Sequence, residues 1–115
     1  CGPTKTPRGK AIGSCGPTTS SRMDSFTPPL LQYGVKAMIG KGNRSQAVID
    51  ATRRYRAVYF VAPAGCGALL ATKVKRATTV AYADLGPEAI RKLEVEDFPL
   101  IVAIDAKGRS IYDAK

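Results

Sequence analysis

The segment 35–61, VKAMIGKGNRSQAVIDATRRYRAVYFV, decides the fold class. Val35–Ile39 has the composition of a strand, and Gly40-Lys41-Gly42 ends it in a turn. Ser45 stands where a helix N-cap belongs. Ala47, Val48, Ala51 and Tyr55 then recur on one side of the helix that follows, through Tyr55. Ala57–Val61 (Ala-Val-Tyr-Phe-Val) is an unbroken apolar run of strand formers, which suits a strand covered on both faces. Strand, helix, strand within one short segment is the signature of an α/β fold.

The same alternation continues outward. Thr27 followed by Pro28 opens a helix through Leu30, Leu31 and Tyr33, and Gly34 stops it. Lys10–Cys15 reads as a short strand, Cys66–Val74 as a helix and Thr78–Ala83 as a strand. Pro87–Leu93 reads as a short helix, Leu100–Ile104 as a buried strand, Lys107-Gly108 as a turn and Ser110–Tyr112 as an edge strand pairing back. The expected architecture is therefore a single α/β domain with a largely parallel sheet. A chain of 115 residues suffices for one core.

Composition narrows the chemistry. The chain contains no His, so it cannot by itself form a Ser-His-Asp triad, a Cys-His pair or a His-ligated zinc site. Its three cysteines, Cys1, Cys15 and Cys66, are widely spaced and odd in number. They predict neither a disulfide framework nor a metal site in this chain, but thiols in a reducing compartment. The longest uncharged run, 57–72, is short and interrupted by Pro63, Gly65 and Gly67, so no membrane span is expected.

The net charge is +9, and it is unevenly spread. Residues 1–56 hold ten basic side chains against Asp24 and Asp50 alone, whereas residues 57–115 hold eight against seven acids. An anion would bind in the first half. The basic residues are dispersed, with few aromatics between them, and no nucleic-acid motif appears, so nucleic acid is not the expected partner. A phosphate loop fails at both ends around Gly40-Lys41: Val35 stands where Gly is needed, and Gly42 where Ser or Thr is needed. Gly65-Cys66-Gly67 lacks the third glycine of a dinucleotide fingerprint, because Leu70 occupies that place.

Three unusual loops follow predicted strands: Gly16–Arg22, Gly40–Gly42 and Pro63–Gly67. In a parallel sheet they would gather at one edge, where α/β folds bind ligands. The first is rich in hydroxyls and backbone donors, and Arg22 adds a planar fork suited to a carboxylate. The second presents Lys41 between two glycines, where a ligand can come close to the backbone.

At Ile12-Gly13-Ser14-Cys15-Gly16-Pro17-Thr18-Thr19-Ser20-Ser21-Arg22-Met23-Asp24 the chain resembles the beta subunit, or C-terminal domain, of the iron–sulfur hydro-lyases that comprise class I fumarases and L-tartrate dehydratases. The likeness continues at Met38-Ile39-Gly40-Lys41-Gly42, Ala81–Ile90 and Phe98–Asp105. It covers nearly all of residues 1–115, and implies one hydro-lyase domain of the swivelling β/β/α type. The activity it implies is reversible hydration of fumarate to L-malate, a cytoplasmic reaction of the tricarboxylic acid cycle. Asp24–Pro28 is similar to the fumarase branch and Pro63–Cys66 to the tartrate branch. Dehydration of L-tartrate is the second reading, and a non-enzymatic anion-binding or scaffold domain the third.

The resemblance also assigns roles. Thr18 is the proton-transfer residue with Thr19 beside it, and Arg22 and Lys41 bind the substrate carboxylates. Because a neutral alcohol is a weak base near neutral pH, Lys41 is a rival for the base. The four-iron, four-sulfur cluster belongs to a partner alpha subunit or domain, with which this chain would form a hetero-oligomer and share the active site. Family members carry an upstream segment with an Arg-Asp…His motif, which the chain is expected to lack.

Overall fold

A computed structural model describes residues 1–113. Within the span read as one domain, the chain divides into two compact units: 1–16 with 63–99, and 17–62 with 100–115.

The second unit is built on the strand–helix–strand segment of residues 35–61. Strand β1 (Ala37–Gly40) runs parallel to β2 (Val58–Val61), with Ala37 opposite Val58 and Gly40 opposite Val61. Helix α2 (Gln46–Arg54) connects them, and the Ser45 hydroxyl accepts a hydrogen bond from the Val48 N–H at its start. It buries Val48, Ile49, Ala51 and Thr52. The buried Thr52 hydroxyl is satisfied within the helix by donating to the Val48 carbonyl (2.7 Å). Helix α1 (Thr27–Tyr33) carries Pro in its first turn and ends on Gly34, whose φ of 117° only glycine adopts readily. Tyr59, Ile104, Ala103 and Ile49 form one core cluster, and Leu31, Ala51 and Ala57 form another.

The last strand of this unit (Ile101–Ile104) is antiparallel to β2, with Tyr59 opposite Ile104 and Val61 opposite Ile101. Its partner on the far side is one bridge, Ile104 to Ser110, where an edge strand over Ser110–Tyr112 was expected. Only Ala103 and Ile104 are buried in it, so it is half the buried strand that its composition suggests.

The first unit contains helix α3 (Gly67–Thr72), β3 (Val74–Ala81), a 3-10 turn (Ala83–Glu88) and β4 (Ile90–Val95). The strand at Ile101–Ile104 is therefore β5. β3 and β4 pair antiparallel, with Ala77 opposite Leu93 and Ala81 opposite Ile90. Ile12, Cys15 and Val74 are its buried core, with Leu93 and Phe98 against them. The N-terminal segment is tied down by the Thr4 N–H donating to the Ser14 carbonyl (3.0 Å) and the Cys15 N–H to the Gly67 carbonyl (3.1 Å). Gly13 has no room for a Cβ, which would overlap the Thr4 carbonyl.

The α/β class holds, but the largely parallel sheet does not. Among the described residues one ladder is parallel (β1 with β2) and two are antiparallel. The chain leaves β2, forms most of the other unit, and returns along β2 as an antiparallel edge strand. β3 and β4 are joined by a short connection, which imposes antiparallel pairing. The helix expected over Pro87–Leu93 is mostly β4. Gly86, at φ 58° and ψ −115°, breaks the helical path before Pro87 can start one. Lys10–Cys15 is not a strand, because its partner Thr4 lies beside it through isolated bonds and not a ladder.

Candidate functional site

β1 ends at Gly40, and there Thr19 bridges Lys41 in the parallel sense. The Ser20 N–H donates to the Lys41 carbonyl (3.1 Å), and the Lys41 N–H donates to Ser20 Oγ (3.1 Å). This reciprocal pair fastens the hydroxyl-rich loop to the Gly-Lys-Gly loop. Thr18 and Thr19 come immediately before Ser20, and Arg22 lies in the 3-10 turn that Ser20 opens (Ser20–Met23). Thr18, Thr19, Arg22 and Lys41 are thus brought to one end of the sheet.

The two glycines beside Lys41 are there for different reasons. A Cβ on Gly40 would overlap Ser20 Oγ. Gly42 has φ 83°, which lets the chain turn away directly after Lys41.

Beneath them stands Tyr59 of β2, fully buried, its hydroxyl 3.0 Å from Ser20 Oγ and 2.9 Å from the Gly42 carbonyl. One phenolic proton cannot serve both. The carbonyl can only accept, so the phenol donates to Gly42 and Ser20 turns its own proton to the phenolic oxygen. Burial pushes the Tyr59 pKa up, against the opposing pull of the Ser20 hydrogen bond and the Arg44 charge. The phenol therefore stays a neutral donor at neutral pH. Through Ser20 and Gly42 it fixes the backbone on both sides of Lys41.

Thr18 and Arg22 are exposed, and Thr19 and Lys41 are half-buried. Among the described residues, neither Arg22 nor Lys41 has an acidic partner. Two cations without internal counter-ions, on loops joined by a bridge and a reciprocal hydrogen-bond pair and carrying threonine hydroxyls, suit a small dianion.

Arg44 has the opposite character, and the sequence reading missed it. Its side chain is 3% exposed and Nε donates to Asp24 Oδ1 at 2.6 Å. The other oxygen of Asp24 accepts from the Ser45 N–H (2.6 Å), and Arg44 Nη2 donates to Thr27 Oγ1 (2.8 Å). The guanidinium lies over the Tyr59 ring, 4.9 Å from its centroid. Arg44 therefore locks the start of α1, the start of α2 and β2 together behind the loops. Asp24 was the available signal: it and Asp50 are the only acids in a half with ten cations.

The third loop, Pro63–Gly67, belongs to the other unit. There Cys66 is half-buried before α3, Cys15 is buried and Cys1 is exposed, all as free thiols. Burial pushes the Cys15 thiol up in pKa, against a smaller downward pull from the amino terminus, so Cys15 is packing. Among the described residues no three His, Cys, Asp or Glu side chains are grouped as metal ligands. These thiols do not fit an iron–sulfur cluster, whose ligands must converge.

A family model described as Fumarase C-terminus matches residues 1–115. The chain belongs to that family. This fumarase C-terminus domain is 48% identical over 113 residues to the aerobic class I fumarate hydratase of Salmonella typhimurium, covering 96% of the chain and 20% of that protein. It is 45% identical over 104 residues to a putative L(+)-tartrate dehydratase subunit beta of Methanocaldococcus jannaschii, covering 87% of the chain and 53% of that protein. With the L(+)-tartrate dehydratase subunit beta of Escherichia coli it shares 40% identity over 101 residues, covering 85% of the chain and 50% of that protein. The fumarase C-terminus domain thus spans about a fifth of the fumarate hydratases and about half of the tartrate dehydratase beta subunits it matches. The relatives are hydro-lyases by name, which agrees with the resemblance read from Gly16–Asp24 and Gly40–Gly42. No helix is long and apolar enough to cross a membrane among the described residues.

Proposed function

We propose that the chain supplies the dicarboxylate-binding part of a hydro-lyase that reversibly hydrates fumarate to L-malate. The observation that carries this is the Thr19–Lys41 bridge, which sets Arg22 and Lys41, both without an acidic partner among the described residues, on adjoining loops. A four-carbon dianion needs two such cations, one for each carboxylate. Arg22 offers its fork to one carboxylate and Lys41 its point charge to the other, with Thr19 beside them.

In hydration, the oxygen of water bonds to one alkene carbon and a proton is added to the other. Thr18 supplies that proton, and the proton shed by the attacking water restores the hydroxyl by way of solvent, so that Thr18 ends as it began; dehydration runs the same transfers in reverse. An alcohol performs this only next to positive charge, the part this reading assigns to the Lys41 ammonium on the adjoining loop. Lys41 is accordingly both a substrate ligand and the second candidate for the proton-transfer group.

The four-iron, four-sulfur cluster that the family resemblance implies is held by an alpha subunit or domain outside these residues, and activity requires both parts. The expected assembly is a cytoplasmic hetero-oligomer of the tricarboxylic acid cycle, with this part of the swivelling β/β/α type. Free thiols at Cys1, Cys15 and Cys66 support a reducing compartment. L-Tartrate is the second substrate reading, favoured by the identities of 45% and 40% to tartrate dehydratase beta subunits.

The test is an assay of the intact, cluster-loaded protein on fumarate, L-malate and L-tartrate. Turnover of fumarate, lost on Arg22→Gln and Lys41→Met, supports the reading. No turnover of any of the three, or full activity in Arg22→Glu, overturns it.

A further inference from the structure

The second unit has another group of cations, at the other end of the same sheet. Lys41 follows the carboxyl end of β1, whereas Arg56 stands before the amino end of the parallel β2. β5 runs antiparallel to β2, so the turn after it arrives at that same end. There Arg53, Arg56, Ala106 and Lys107 line an open cleft of about 550 Å³, a volume typical of small-molecule sites. Among the described residues no acidic side chain lines it.

Each cation is set in place by a distinct device. Gly108, at φ 77°, lets Arg53 pass over the turn: a Cβ there would press against Arg53 Cβ at 3.1 Å. The turn bearing Lys107 is fixed by Asp105, which accepts from the Lys107 N–H (2.9 Å) and the Arg109 N–H (3.0 Å). Asp105 also pairs with Arg109 Nε at 2.6 Å, so the acid of this turn is already neutralised. Arg56 sits just past α2 at φ 51°, a position that favours glycine. Cations at a helix C-terminus offset the helix dipole, but Arg53 and Arg54 in the last turn already do this. Arg54 is further engaged over the Tyr55 ring, 5.4 Å from its centroid. Neither helix charge nor backbone preference accounts for an arginine at 56. Among the described residues Arg53, Arg56 and Lys107 have no acidic partner.

We propose that this cleft binds a small multivalent anion of the phosphate class, at a site separate from the dicarboxylate site. Two guanidinium forks with one ammonium suit the oxygens of a diphosphate, and the cleft's size and concavity favour a small ligand over a protein surface. The proposal does not depend on the hydro-lyase reading.

The experiment is calorimetric titration of inorganic pyrophosphate into the intact protein that carries this chain, with Arg56→Gly, Lys107→Gln and Lys41→Met variants. The expected result is one saturable, salt-sensitive binding event. It weakens about tenfold or more in Arg56→Gly and in Lys107→Gln, and is unchanged in Lys41→Met. Arg56→Gly should at the same time raise the melting temperature by a few degrees, because glycine accepts the left-handed backbone. Weaker binding by a more stable protein cannot come from unfolding. The proposal is overturned by the absence of saturable binding, by binding that survives Arg56→Gly and Lys107→Gln together, or by binding lost in Lys41→Met. It is also overturned if an oligoglutamate peptide binds where pyrophosphate does not.

Discussion

Arg44 and the pair Arg22–Lys41 come from the same basic half of the chain and lie near the same strand end, yet their surroundings are opposite. Arg44 is buried, neutralised by Asp24 and stacked on Tyr59. Arg22 is exposed, Lys41 half-buried, and neither has an acidic partner among the described residues. A cation marks a binding site when its counter-ion must come from elsewhere. One whose counter-ion is built in is a strut. Arg44 is what allows the other two to remain available, because it holds the loops that carry them.

The contrast makes graded predictions. Asp24→Ala leaves a buried guanidinium unpaired, and should destabilise the fold by about 3–5 kcal/mol in urea unfolding. A cost under about 1 kcal/mol, the range of an exposed pair, would erase the distinction between strut and ligand. Lys41→Met should leave the unfolding midpoint nearly unchanged and lower kcat/KM of the intact enzyme by about ten- to a hundredfold, the worth of one charged hydrogen bond. A fall in stability to match would make Lys41 structural.

Tyr59→Phe tests the link between the two regions. It strips the Gly42 carbonyl of the phenolic donor and the Ser20 hydroxyl of its acceptor, for about 1–2 kcal/mol in stability. The loosened Lys41 loop should also raise KM more than it lowers kcat, as substrate titrations would show. The smallest effect belongs to Asp105, far from both. Hydrogen bonds from the Arg109 backbone, then from its side chain and the Lys107 backbone, hold its carboxyl below the usual range. Its contribution is present above the unfolded carboxyl pKa and lost as pH falls through the lowered folded value. The gap in urea midpoint between the wild type and Asp105→Asn should therefore narrow as pH drops below about 4.

What could be read from the sequence was what is local. Pro28, Gly34 and Ser45 act on neighbours a few residues away, and α1 and α2 fall where they indicate. Ala57–Val61 and Leu100–Ile104 declared themselves by composition alone. β4 could not be read in this way, because Ile90–Val95 is a strand only by virtue of β3, to which it pairs. The antiparallel sense of β5 is a property of the long return path and not of its residues. The site divides in the same way. Gly40-Lys41-Gly42 and Gly16–Arg22 stood out as motifs, while Tyr59 looked like one more apolar strand residue and Arg44 like one more surface cation. Their roles come from contacts with residues 15 to 39 positions away.

Ser20 Oγ occupies the space that a methyl on residue 40 would fill. The two positions therefore trade volume, and Gly40→Ala, damaging alone, has a natural companion in Ser20→Gly. That exchange restores the shape but not the polarity, since a methyl can neither accept from the Lys41 N–H nor donate to the Tyr59 oxygen. Comparing the double exchange with each single change would separate, at one atom, how much of the loop's fixity is steric and how much is hydrogen bonding.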